Sequence, residues 1–249
     1  MRSGEVSRTT LDRALAVLAV FSAERPRLTL AEITRRVGLP HSTCHRIVGE
    51  LAGWGALERD DSRGFTIGLR LWELGTLAPR ALSLQAAAAP FMEDLYEATR
   101  QHVQLAILDG TEAVVVERRS AADAVGIVSG VGGRLPLHCT GVGQVLLAHA
   151  GQELFARVVE QGLERFTERT IVSGRALRAA LAQCRLVGYA TVRGERSPGV
   201  DSVAAKVSGR NGTVVGALSV VCQTPTDVRS LGLAVVAAGR GISRSLGGL

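Results

Sequence analysis

LTLAEITRRVGLPHSTCHRIVGEL, residues 28–51, is the stretch whose reading decides the fold of the first part of this chain. Thr29 followed three residues later by Glu32 has the form of a capping box, in which each side chain bonds the other residue's backbone N–H at a helix start. Leu30, Ile33 and Val37 then fall on one stripe, and Gly38-Leu39-Pro40 ends the run. Ser42 is placed to cap a second helix whose apolar side is Cys44, Ile47, Val48 and Leu51. Its opposite side carries Ser42, His45, Arg46 and Gly49. Two short helices joined by a tight turn, the second offering hydroxyls and an arginine outward, have the form of a helix-turn-helix. Such a helix enters the major groove by its N-terminal end, where free amides and the positive dipole favour phosphate.

Working outward, Leu11, Leu15, Leu18 and Phe21, with Ala14 and Val17 between, recur at helical spacing from residue 10 to about 22, with Thr10 as the natural cap. Downstream, Leu57-Glu58-Arg59, the turn-forming residues 60–64 and Phe65-Thr66-Ile67 read as a hairpin with Arg63 at its tip, a wing beside the helices. The residues expected at double-stranded DNA are Arg27, Thr29, Ser42, Thr43, His45, Arg46 and Arg63. A three-helix module that binds protein would share the pattern.

The 249 residues allow two domains. With 46% hydrophobic residues there is ample core, while 4% aromatics argue against a base-stacking or sugar-binding groove. The net charge of +6 is carried by arginine, Lys206 being the only lysine, and residues 1–70 hold 11 Arg against 8 acids. No apolar run approaches the roughly 20 residues of a membrane span, and Arg2 and Arg8 precede no apolar leader, so a cytoplasmic chain is expected. The four cysteines, Cys44, Cys139, Cys184 and Cys222, form no C-x-x-C pair, so no metal site, cofactor or disulfide framework is expected.

Beyond Leu69 the pattern is helical to about Arg100, with Pro79 and Pro90 read as interruptions. The period then changes to two. His102 to Leu108, the turn Asp109-Gly110, and Thr111 to Glu117 read as one hairpin, and Asp201 to Arg210, Asn211-Gly212 and Thr213 to Cys222 as another. Helices are expected at 140–150, 152–161, 173–185 and 227–246. The fold class is therefore α+β.

In order and spacing, Leu28-Thr29-Leu30-Ala31-Glu32-Ile33, Gly38-Leu39-Pro40-His41-Ser42, Arg134-Leu135-Pro136-Leu137-His138, Gly141-Val142-Gly143, Gly188-Tyr189-Ala190, Gly194-Glu195 and Val203-Ala204-Ala205 resemble the IclR-type bacterial transcriptional regulators over nearly the whole chain. The resemblance implies a winged helix-turn-helix, then a GAF-like antiparallel-sheet domain that senses a small effector, with homodimers that commonly pair into tetramers. It divides the chain into a flexible start at 1–8, a DNA-binding domain at 9–70, a linker helix at 71–84 and an effector-binding domain at 85–249. It also implies that the segment at Gly141 and the positions of Glu195, Ser202 and Ser219 belong to the effector pocket.

The second hairpin gives its own reading. If Asn211-Gly212 is a two-residue loop, Ser202 faces Val221 and Ala204 faces Ser219. One side then carries Ser202, Ala204, Lys206, Ala217, Ser219 and Val221, small and partly hydroxylated, as a pocket wall would be. Thr140 is placed to cap a helix whose first amides, at Gly141 and Val142, favour a carboxylate. The expected effector-binding residues are Leu137, Thr140, Gly141, Val142, Glu195, Ser202, Ser219 and Val221, and an ionised Glu195 facing the pocket would add a preference for a hydroxyl or amine. The function expected is a regulator whose grip on DNA is set by a small organic acid. The rivals are a DNA-binding protein without a ligand, an enzyme built on Cys139 and His138, and a metal sensor using His102, His138 and His149. Adjacent strand residues point to opposite faces and no ligand spacing is present, which weighs against the last two.

Overall fold

The computed structural model describes residues 9–22, 24–120, 129–224 and 227–247, so the expectation of a flexible stretch at 1–8 lies outside the described residues. Contacts divide the chain into two compact units, Met1–Ala78 and Pro79–Leu249.

The first unit begins with α1 (Thr10–Leu18), capped by Thr9 rather than Thr10. The reason lies three residues on. Asp12 sits where it can take the Thr9 N–H while Thr9 accepts from the Asp12 N–H at 3.1 Å, whereas Thr10 would find Arg13, which has no acceptor. The helix also ends at Leu18, short of the expected residue 22. A three-residue strand, β1 (Arg27–Thr29), leads into α2 (Leu30–Val37), whose capping box of Thr29 and Glu32 forms as read and whose end is turned by Gly38 at φ +72°. Next, α3 (His41–Trp54) starts after Pro40 with no side-chain cap, so Ser42 lies inside the first turn and its hydroxyl is not spent on capping. The hairpin is β2 (Leu57–Arg59) and β3 (Gly64–Ile67), and the sheet order is β1-β3-β2. Val17, Ile33, Cys44, Ile47, Val48 and Leu57 form the core beneath it. A last short helix, α4 (Leu69–Gly75), buries none of its residues.

The second unit opens with α5 (Pro79–Thr99). Residues 71–84 thus hold the end of α4, a turn and the start of α5, not one linker helix. Pro79 sits at the first helical position, where its missing N–H costs nothing, but Pro90 does not interrupt the helix. Burial of Ala87, Ala88, Met92 and Leu95 around it offsets the roughly 3 kcal/mol that an interior proline costs. The strands β4 (His102–Asp109), β5 (Glu112–Arg119) and β6 (Arg134–Pro136) precede helices α6 (Gly141–His149), α7 (Gln152–Glu160) and α8 (Gly174–Val187). Then come β7 (Tyr189–Arg193), β8 (Val200–Ser208), β9 (Val214–Gln223) and α9 (Val228–Gly247). The six strands form one antiparallel sheet in the order β6-β5-β4-β9-β8-β7. One face packs against α6, α7 and α8 through residues such as Ala204, Ala217 and Leu146, the other against α5 and α9 through Ala205, Leu218 and Val220.

Both hairpin turns differ in detail from their sequence reading. Asp109 pairs with Glu112, so the first turn is Gly110-Thr111, with positive φ only at Gly110. In the second, Ser202 pairs with Val221 and Ala204 with Ser219 as read, yet the loop runs over residues 209–213 because a bulge at Val215 lets Ser208 meet Val214. No helix among the described residues is long and apolar enough to cross a membrane.

Candidate functional site

Two surfaces bring chemistry-bearing residues together. On α3, Ser42, His45 and Arg46 are exposed on the side away from the core and Thr43 is half-buried. The Arg46 guanidinium bonds Glu50 one turn on at 2.6 Å, an exposed pair of the kind worth well under about 1 kcal/mol and easily exchanged for a phosphate. Arg63 stands at the wing tip with φ +61°, an unusual conformation for a residue with a side chain. Arg27, although exposed, and the half-buried Thr29 bond the protein's own groups. Arg27 bonds Asp60 and Ser62 and ties β1 to the wing, and with the Gly64 N–H it holds the Asp60 carboxyl well below the usual carboxylate range. Thr29 spends its hydroxyl on the α2 capping box.

The second surface is a cavity of ≈ 60 Å³ between the sheet and the start of α6. Thr140, Gly141, Val142, Ser202, Ser219 and Val221 line it. The Thr140 hydroxyl donates to the Pro136 carbonyl at 2.7 Å and accepts from the Gly143 N–H at 3.2 Å. The first-turn amides of Gly141 and Val142 have no partner within the helix. Gly141 is required by the close approach of β8, since a Cβ there would lie 2.5 Å from Ser202 Oγ. Across the floor, Ser219 pairs with Ala204 on one side and Gln104 on the other. The Gln104 side chain donates to Ser129 Oγ at 3.3 Å.

Leu137 and Glu195 do not line the cavity. Leu137 is part of the core between sheet and helices. Glu195 is buried and turns toward α6, with the Ile171 N–H and the Gln144 side chain beside its carboxylate, its Oε2 without a hydrogen-bond partner, and Gln144 donating to the His138 carbonyl at 2.9 Å. Burial pushes the Glu195 carboxyl up to about 7, against which those two groups act. Gln104, Ser129, Arg196 and Ser197 line the cavity without having been expected there.

The Glu195 environment has a measurable consequence. A carboxyl whose folded-state pKa is raised binds more protons folded than unfolded between pH 4.5 and about 7, so its contribution to stability falls through that window and is flat above it. Glu195→Gln, which keeps the shape of the neutral acid, is expected to be more stable than wild type by about 1–3 kcal/mol at pH 8 and equal to it near pH 4.5. Urea unfolding at the two pH values measures the gap, and a gap independent of pH would contradict the assignment.

Cys139 and His138 do not make a nucleophile and base. Burial pushes the Cys139 thiol up to about 12, burial lowers His138, and His138 Nε2 bonds the Glu164 carbonyl at 2.9 Å. Among the described residues no group of His, Cys, Asp and Glu could hold a metal ion.

Comparison with known proteins places the two parts of the chain in one family. The family profile described as the IclR helix-turn-helix domain matches residues 10–61, and that described as bacterial transcriptional regulator IclR C-terminal matches residues 78–243. The chain is 32% identical over 244 residues to the HTH-type transcriptional regulator XynR of Escherichia coli, covering 96% of this chain and 97% of that one. It is 30% identical over 251 residues to the HTH-type transcriptional repressor AllR of Klebsiella pneumoniae, covering 98% and 92%. Among solved structures, an IclR homologue of Microbacterium hydrocarbonoxydans complexed with 4-hydroxybenzoate superposes with a TM-score of 0.92 at 35% identity, over 97% of this chain and 100% of that one.

Proposed function

We propose, for a chain that belongs to the IclR family of bacterial transcriptional regulators, that its hold on a DNA operator is controlled by a small organic acid seated in the cavity at the start of α6. The family makes it a DNA-binding regulator and not an enzyme. What supports the acid is the cavity itself, whose lining joins Gly141 and Val142, at the start of α6 where amides lack helical partners, to Ser202 and Ser219. The structural neighbour that holds 4-hydroxybenzoate makes that compound the first to try. The acid shifts DNA affinity only by as much as it prefers one of the DNA-competent and DNA-incompetent states. A DNA site recovered by in vitro selection, titrated with the protein in the presence and absence of a panel of small acids, tests the reading. Operator affinity unmoved by every acid that binds the protein would refute it.

On DNA, Ser42, Thr43, His45 and Arg46 meet the major groove and Arg63 a phosphate or the minor groove. Arg27 and Thr29 act by holding the wing and α2 in place. Arg63→Gly separates charge from conformation. Glycine relieves the left-handed backbone by about 1 kcal/mol and gives back a similar amount in unfolded-chain entropy, so the melting temperature should stay near wild type. DNA affinity should fall for all sequences alike, with the salt slope lower by about one ion. An unchanged slope would remove Arg63 from the interface. The protein works as a homodimer, because one winged head covers only a half-site, and the pairing of such dimers into tetramers is what the family resemblance implies.

A further inference from the structure

We propose that Arg196 is the specificity-determining residue of the cavity: it selects a monocarboxylate, whose second polar group, a hydroxyl, is read by Ser219. This rests on the effector reading above and names the class of compound that the site takes. Among the described residues lining the cavity Arg196 is the one ionised side chain, and none of these residues is acidic. Its guanidinium lies 4.0 Å over the Phe166 ring, which fixes its plane, and its buried Nε has no hydrogen-bond partner. The neighbouring acid, Glu195, is turned away to Gln144 and Ile171. Ser219 Oγ, in a residue 1% exposed, is likewise buried without a partner.

Two orphaned polar groups in one cavity are costly in the empty protein, each by about 1–3 kcal/mol, and a guest that satisfies both removes the cost. The cation and the α6 amides together call for an anion. A single cation with no acid among the described lining residues calls for one negative charge, since a second would be left unpaired in a mainly apolar cavity. Leu135, Val142, Val192, Val200 and Val221 enclose the space between, so the body joining acid to hydroxyl is compact and apolar. Ser219, beside Gln104 on the floor, then meets the hydroxyl.

The test is calorimetric titration of the full chain with benzoate, 4-hydroxybenzoate, glycolate and lactate and with their uncharged primary amides. Wild type should bind at least one acid about ten-fold or more tightly than its amide, the equivalent of a charge-assisted hydrogen bond. Arg196→Met should weaken that acid by about ten-fold or more with its amide unmoved, and Arg196→Lys should recover part of the loss. Ser219→Ala should weaken a hydroxy acid more than the parent acid. Equal affinity for acid and amide in wild type overturns the proposal without any variant having to fold, as does undiminished acid binding by a folded Arg196→Met. If uncharged compounds bind and acids do not, Arg196 loses its role and the effector pocket stands. If no compound of either series binds, both the effector reading and this one fall.

Discussion

Ser219→Leu is expected to lose acid binding by about 100-fold or more while binding its DNA site with wild-type affinity. Ser219 is 1% exposed and faces a cavity of only ≈ 60 Å³, so an isobutyl group there takes the space of the guest and removes a hydroxyl that would serve it. Overpacking a core costs about 1–3 kcal/mol. That cost falls on the unit Pro79–Leu249, whereas α3 and the wing belong to the unit Met1–Ala78. Acid and DNA are coupled only through differential binding to two states, so a variant blind to the acid should show DNA affinity independent of it. Calorimetry with the acid that wild type binds best, and fluorescence anisotropy on the selected DNA site, give the two readings. Acid binding at wild-type strength would show that the face carrying Ser202 and Ser219 is not the wall of the effector site.

That face was legible in the sequence because of pairing arithmetic that survives an error in the turn. A two-residue loop at Asn211-Gly212 and the observed loop over 209–213 both leave Ala204 opposite Ser219, since the bulge at Val215 absorbs the difference before the pocket residues are reached. Alternation then separates Ser219 from Leu218 on strand geometry alone. The two helices of the DNA-binding head were legible for a similar reason, each carrying an apolar stripe and a stop signal within a dozen or so residues. What escaped was non-local. The strand β1 is three residues long and has no period to read; it exists because Arg27, Leu28 and Thr29 pair with β3 nearly 40 residues away. Pro90 is tolerated inside α5 because the surrounding alanines and Met92 are buried, which no local propensity reports. Arg196 and Glu195 lie side by side outside a regular strand, so no periodicity says which of them faces the cavity; Gln144 and Ile171 draw Glu195 away, and Phe166 holds Arg196 in place. Gln104 was readable in principle, since it pairs with Ser219, but only once β4 was known to lie beside β9.

The double substitution Leu69→Glu, Trp72→Glu is expected to lower affinity for a two-half-site operator by about 100-fold or more while leaving affinity for a single half-site near wild type. Leu69 is 59% exposed, Trp72 65% and Leu77 72%, and α4 buries none of its residues within its own unit. A seven-residue helix is too short to persist in water without packing. Leu69 and Trp72 lie three residues apart, hence on one side of it, and a contiguous apolar side of this kind marks an interface. In the homodimer proposed above a second copy would cover it: pairing two heads through α4 would place one α3 in each half-site, so that the second head binds at the high effective concentration set by the first. Charging the apolar side separates the heads. The phosphate and base contacts of each α3 remain, which is why the half-site should bind as before, and the avidity of the pair is what disappears. Anisotropy titrations on the intact and halved operators measure the two affinities. Full operator affinity in the double variant would mean that the apolar side of α4 does not pair the heads, and that the two half-sites are held together from within the unit Pro79–Leu249 instead.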